Sequence, residues 1–175
     1  LNGNAESLER LDSIRDSFTT VMNQKMESMW AKKLGLVTYD APLVNEMLRL
    51  MVHTKVDYTI FFRKLSSIPN KLTDLKDSFY LPISEETESK WISWLQRWRE
   101  QVISKGDQNE ISAKMKSINP KYTWREWLIT PAYEKAEEGD YGLIKELQAV
   151  LDKPYEEQSL EMQKKYDSLK PKKFF

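Results

Sequence analysis

No cysteine occurs in the 175 residues, and histidine occurs once. The first absence excludes disulfides, thiolate zinc sites, iron–sulfur clusters and cysteine nucleophiles. The second excludes any metal site that needs two imidazoles. Glycine is scarce, with five in the chain against a usual share of about 7%. That scarcity disfavours β-rich folds with many tight turns and leaves few places for a phosphate-cradling loop. No run approaches the roughly 20 apolar residues of a membrane span. Leu1–Asn4 has neither a basic start nor an apolar stretch, so no signal peptide is expected. The first residue is not methionine, which reads as an internal fragment. Neither sign of charge predominates: 27 basic and 27 acidic side chains leave a formal net charge of zero. This argues against a generally basic nucleic-acid binder and leaves only a local patch open.

What is present is helical patterning with many aromatics. Six tryptophans, eight tyrosines and six phenylalanines supply bulk for a core, and a chain of this length buries roughly two-thirds of its unfolded surface. Leu8, Leu11, Ile14, Phe18, Val21, Met22, Met26, Met29 and Trp30 build one face of a first helix over about Glu6–Leu34, with Gly35 as its cap. Asp40 and Pro42 open a second helix, and Asp57 caps a third over Tyr58–Leu65. A short helical turn and loop follow over Asn70–Leu81. Ser84 caps a helix that runs to about Lys105 and carries Trp91, Trp94 and Trp98. Shorter helices are expected over Glu110–Ile118, from a capping box at Thr123–Glu126, from Thr130-Pro131, after Asp140, and over Ser159–Leu169. The reading is all-α, an irregular bundle of about seven to nine helices in one domain over 1–175. The softest boundary lies near 69–82, and 170–175 form a basic, solvated tail.

Candidate chemistry is thin. His53 ends a helix with no nucleophile turn beside it. The acidic clusters Glu85-Glu86-Thr87-Glu88, Glu137-Glu138 and Glu156-Glu157 sit at helix ends or loops, where solvated charge is cheap. Asp107-Gln108-Asn109 begins like a calcium loop, but Ser112 stands where its glycine is required. Gly139 and Gly142 have the spacing of a nucleotide-gripping turn, but no strand flanks them, and a helix C-cap followed by an N-cap explains Gly139 and Asp140. The Trp91–Trp98 stripe, with Arg97 and Arg99 beside it, reads as a core face with a basic rim. An exposed aromatic docking face is its rival reading, and base stacking a further one. The lysine tail offers a weak route to phosphate.

Two stretches carry more information. One is Asn119-Pro120-Lys121-Tyr122, then Arg125, Trp127-Leu128, Ala132, Ala136, Gly139-Asp140-Tyr141 and Pro154-Tyr155. The other is Met26–Leu36 followed by Asp57-Tyr58-Thr59 and Phe61-Phe62-Arg63-Lys64-Leu65. Together, over roughly Lys25–Tyr155, they resemble the C-terminal part of the selenoprotein O family, protein AMPylases with a pseudokinase fold. The chain departs from that pattern at Trp124, Glu126 and Thr130-Pro131, and has no terminal cysteine or selenocysteine.

The resemblance implies a C-terminal helical domain of a longer, kinase-like protein adenylyltransferase. Its upstream part would bind ATP and Mg²⁺ and move AMP onto serine, threonine or tyrosine hydroxyls of protein substrates. The signature residues Asp57, Tyr58, Phe61, Phe62, Arg63, Asn119, Pro120, Lys121, Tyr122, Arg125, Gly139, Asp140, Pro154 and Tyr155 are then read as structural. No catalytic, cofactor-binding or metal residue is carried onto this chain. Its expected partner is the upstream kinase-like domain, with no nucleic acid and no membrane. The implied location is intracellular, mitochondrial in a eukaryote and cytoplasmic in a bacterium. The alternative is a free-standing helical interaction module without enzymatic activity.

Overall fold

The computed structural model describes residues 5–104 and 106–171. Leu1–Asn4, Lys105 and the tail beyond Pro171 lie outside the described residues. Eight α-helices are present among the described residues: α1 (Ala5–Lys33), α2 (Ala41–Thr54), α3 (Tyr58–Leu65), α4 (Glu85–Ile103), α5 (Gln108–Ile118), α6 (Glu126–Glu137), α7 (Gly142–Leu151) and α8 (Leu160–Tyr166). A 3-10 helix over Leu72–Ser78 links α3 to α4. The architecture is all-α. The nearest approach to a strand is one isolated bridge between Val56 and Phe79.

Short-range chemistry fixes most helix ends. Asp40 accepts a hydrogen bond from the Leu43 amide at 2.9 Å, Asp57 from Ile60 at 3.0 Å, and Asp107 from Asn109 at 2.8 Å. Each satisfies an amide that a helix leaves without an internal partner. At the end of α1, Gly35 adopts a φ of +67°. The Leu36 amide then reaches the Ala31 carbonyl at 2.9 Å and the Gly35 amide reaches Lys32 at 3.2 Å, the paired bonds of a Schellman cap. A Cβ at Gly35 would lie 2.7 Å from Met115 Sδ, so glycine also lets α5 approach closely.

Three expected helix starts are corrected. The capping box at Thr123–Glu126 does not form. Arg125 stands at the N-cap without a side-chain cap bond, because Thr123 faces Thr59 and Arg125 is drawn to Asp57. Pro131 does not begin a helix but lies inside α6. It lies beyond the first turn and removes one backbone bond there. Asp140 is not the N-cap of α7, which is Tyr141, although its carboxylate accepts from the Gly142 amide at 2.9 Å.

Two apolar clusters result. The larger joins the C-terminal end of α1 with α2, α3, the 3-10 helix, α4 and α5. The smaller joins Tyr122 with α6, α7 and α8. The tryptophan stripe of α4 is the centre of the first: Trp91, Trp94 and Trp98 are fully buried. The indoles of Trp94 and Trp98 stack, with centroids 6.0 Å apart. Their N–H groups donate to the carbonyls of Leu43 and Leu34, each at 2.9 Å. The rival reading of this stripe as an exposed docking face is therefore overturned. Trp98→Ala should cost about 3–5 kcal/mol of stability, visible as a lowered urea midpoint with an unchanged helical circular-dichroism signature below the transition.

Candidate functional site

Between the two clusters lies a seam of buried polar side chains, where the signature residues Asp57, Arg63, Asn119, Lys121 and Arg125 meet. Asp57 is its hub. One carboxylate oxygen accepts from the Ile60 amide at 3.0 Å and from Arg125 Nη2 at 3.0 Å. The other accepts from Arg125 Nη1 at 2.6 Å and from the Tyr80 hydroxyl at 2.9 Å. Both partners of this bidentate pair are about nine-tenths buried.

Arg63, on the inner face of α3, is the second node. Its guanidinium donates to the carbonyls of Lys116, Asn119 and Tyr155 and to Glu157 Oε1, at 2.8 to 3.2 Å. It thereby ties the end of α5 and the α7–α8 loop to α3. Lys121 donates to Glu157 Oε2 and to Gln163 Oε1 and faces Asp167 at 3.7 Å. The Pro154 carbonyl accepts from the amides of both Lys121 and Tyr122. Asn119 is fully buried. Its amide group donates to the Lys33 carbonyl at 2.8 Å and the Ser66 hydroxyl at 3.0 Å, and its oxygen accepts from Lys33 Nζ at 2.8 Å. Lys33 Nζ also stands over the rings of Phe62, at 4.6 Å, and Tyr58, at 5.1 Å. Burial lowers its affinity for a proton.

The remaining signature residues divide. Phe61, Phe62 and Tyr122 are core side chains beside the seam. Tyr58 is exposed but packs on Phe62. Gly139 and Asp140 form the α6–α7 turn on the surface, where Gly139 has a φ of +86° and serves as a second Schellman cap. The seam does not include them.

Several contributors escaped the sequence reading. Glu157 was legible only as half of an acidic pair in a solvated loop, whereas it accepts from both Arg63 and Lys121. Burial works against its ionisation, but those hydrogen bonds and the two cations outweigh it and hold its carboxyl below the ordinary value. Asp167 is shifted the other way: burial dominates and raises it, despite Lys121 nearby. Lys33, Ser66, Tyr80 and Gln163 carry no local signal at all.

In chemical terms the seam is a clamp. Its guanidinium and ammonium groups are engaged by carbonyls and carboxylates of the same fold. Elsewhere, His53 is exposed on the last turn of α2. Glu86, Glu138 and Glu156 pair with Lys90, Lys135 and Lys153 near them in sequence. No group of three histidine or acidic side chains able to hold a metal occurs among the described residues. No helix among them is long and apolar enough to cross a membrane.

The sequence model of the SelO family, described as protein adenylyltransferase SelO, matches residues 5–152. The chain belongs to the SelO family. A protein nucleotidyltransferase YdiU from Tolumonas auensis is 36% identical over 153 residues, 82% of this chain and 29% of the relative. One from Pseudomonas fluorescens SBW25 is 37% identical over 135 residues, 73% of this chain and 26% of the relative. One from Aromatoleum aromaticum is 32% identical over 153 residues, 82% and 29%. The chain thus spans between a quarter and a third of the length of these relatives. The SelO match covers α1 through α7 and includes the clamp residues Asp57, Arg63, Asn119, Lys121 and Arg125.

Two outcomes are expected of the clamp. Asp57→Asn leaves Arg125 buried without its charge partner, so it should cost about 3–5 kcal/mol. Arg125→Met in the same background should add much less than it costs alone, and a double-mutant cycle followed by urea denaturation measures this coupling. Glu157 has a depressed folded-state carboxyl. Its ion pairs stabilise above the ordinary glutamate value, and that contribution is lost as the pH falls through the lower folded value. Glu157→Gln should therefore be less stable than the parent at neutral pH and lose less on acidification, with the difference narrowing in acid denaturation profiles.

Proposed function

We propose that this chain is the C-terminal helical domain of a SelO-type protein adenylyltransferase. In this reading an upstream kinase-like part binds ATP and Mg²⁺ and transfers AMP to serine, threonine or tyrosine hydroxyls of proteins, releasing pyrophosphate. The helical domain packs on that part and supports its cleft or gates the approach of protein substrates. The observation that carries the reading is the coincidence of the family match with the fate of the signature residues. The family shares this stretch, yet its polar side chains here are directed at one another across two apolar clusters. That is what a supporting domain requires and not what a nucleotide site offers. The description of the family as protein adenylyltransferases, and of the relatives as protein nucleotidyltransferases, supports the activity proposed for the whole protein.

The experiment compares the 175-residue chain with the longer protein that its reading frame encodes. The longer protein should transfer labelled AMP from ATP to itself or to a protein acceptor. The 175-residue chain should show no heat of binding with ATP–Mg²⁺ in titration calorimetry. Micromolar affinity in the chain alone, or a frame without a kinase-like region, overturns the proposal.

A further inference from the structure

The first two-thirds of α1 contradicts its own pattern. Leu8, Leu11, Ile14, Phe18, Met22 and Met26 fall on one side of the helix, as core residues do. Yet these side chains are between 43% and 61% exposed. Val21 joins the same side and is exposed too. Burial of α1 begins only near its end, with Ala31 and Lys33. A stripe of large apolar side chains, each about half open to water, is the kind of exposed patch that marks an interaction surface.

We propose that this face of α1 is the seat of the remainder of the SelO-type protein, the kinase-like part that is not in this chain. Only the identity of the occupant rests on the functional reading above. Four observations favour it. The family match starts at residue 5, so the uncovered stripe belongs to the stretch shared by the family and is not an appended tail. The relatives are about three times as long as the matched region, which supplies a large body to lie against the stripe. The apolar positions advance by three, three, four, four and four residues, from Leu8 to Met26. A supercoiled pair needs three and four in alternation, so the run suits a straight helix laid on a globular surface better than a two-stranded coil. Cations also lie in the stripe itself, Arg15 in register with Leu8 and Met22 and Lys25 in register with Leu11 and Phe18, so a parallel second copy would set each against its like. A lipid surface is equally ill served, since the five basic side chains of α1 are matched by five acidic ones.

The absence of cysteine from this chain makes the test direct. Leu11→Cys and Phe18→Cys place single thiols in the stripe, and Thr20→Cys places one on the opposite, exposed face. Each is made both in the 175-residue chain and in the longer protein, and maleimide modification of the α1 peptide is timed by mass spectrometry. Position 20 should react at the same rate in both. Positions 11 and 18 should react at that same rate in the 175-residue chain and at least tenfold more slowly in the longer protein. Equal rates at 11 and 18 in both proteins overturn the proposal. So does protection in the 175-residue chain that grows with its concentration, which marks a second copy as the occupant. AMP transfer is measured on the unsubstituted longer protein. Protection without transfer upholds the docking face and removes the adenylyltransferase reading. Transfer without protection does the reverse.

Discussion

The structure turns on the carboxylate of Asp57. A buried charge is tolerated only if its attraction and its hydrogen bonds repay the loss of water. Asp57 receives four donors on its two oxygens: the Ile60 amide, both Nη groups of Arg125 and the Tyr80 hydroxyl. That number matches the lone pairs a carboxylate can offer. One residue therefore starts α3, fixes the exit of the 3-10 helix and holds the beginning of α6 against the larger cluster. A fully satisfied pair of this kind adds little over an apolar contact of the same shape. Its consequence is geometric, because any other docking of the smaller cluster would strand a charge.

Arg63 and Asn119 extend the same logic to the rest of the seam. Helix ends expose carbonyls without partners, and Arg63 places one guanidinium against those of Lys116, Asn119 and Tyr155. Asn119 bonds Lys33, at the end of α1, through both its amide and its oxygen. The clamp thus collects the ends of α1 and α5 and the loop before α8 around α3. The clusters it joins are apolar and indifferent to exact register, whereas the bonds are directional. The polar residues that carry the resemblance, Asp57, Arg63, Asn119, Lys121 and Arg125, accordingly lie where direction matters.

Features whose causes lie within a few residues were legible in the sequence. Asp40, Asp57 and Ser84 act on amides three residues ahead. Gly35 and Gly139 close helices through φ values that other residues adopt only with strain. The spacing of Trp91, Trp94 and Trp98 announced a buried face because helical periodicity is itself local. The capping box at Thr123–Glu126 failed for the opposite reason. Its members were claimed by Thr59 and Asp57, 64 and 68 residues away. Glu157 was misjudged likewise, since its partner Arg63 lies 94 residues earlier. The signature motifs were readable as strings, but the clamp they form exists only once those distances are closed.

The same contrast bears on α1. Its last turns are held by a Schellman cap, by Ala31 in the core and by Lys33 against Asn119. Before them, Ile14, Thr19, Thr20 and Val21 are weak helix formers. Salt bridges such as Arg15–Asp12 are largely open to water and contribute little. A solvated helix of about 20 residues with such a composition is marginal, because helices in proteins draw their stability from a buried face more than from propensity. Here the face exists and its burial does not. The stripe from Leu8 to Met26 carries the pattern of a core that this chain does not complete. A body lying along it would supply both the missing contacts and the stability of the helix that presents them.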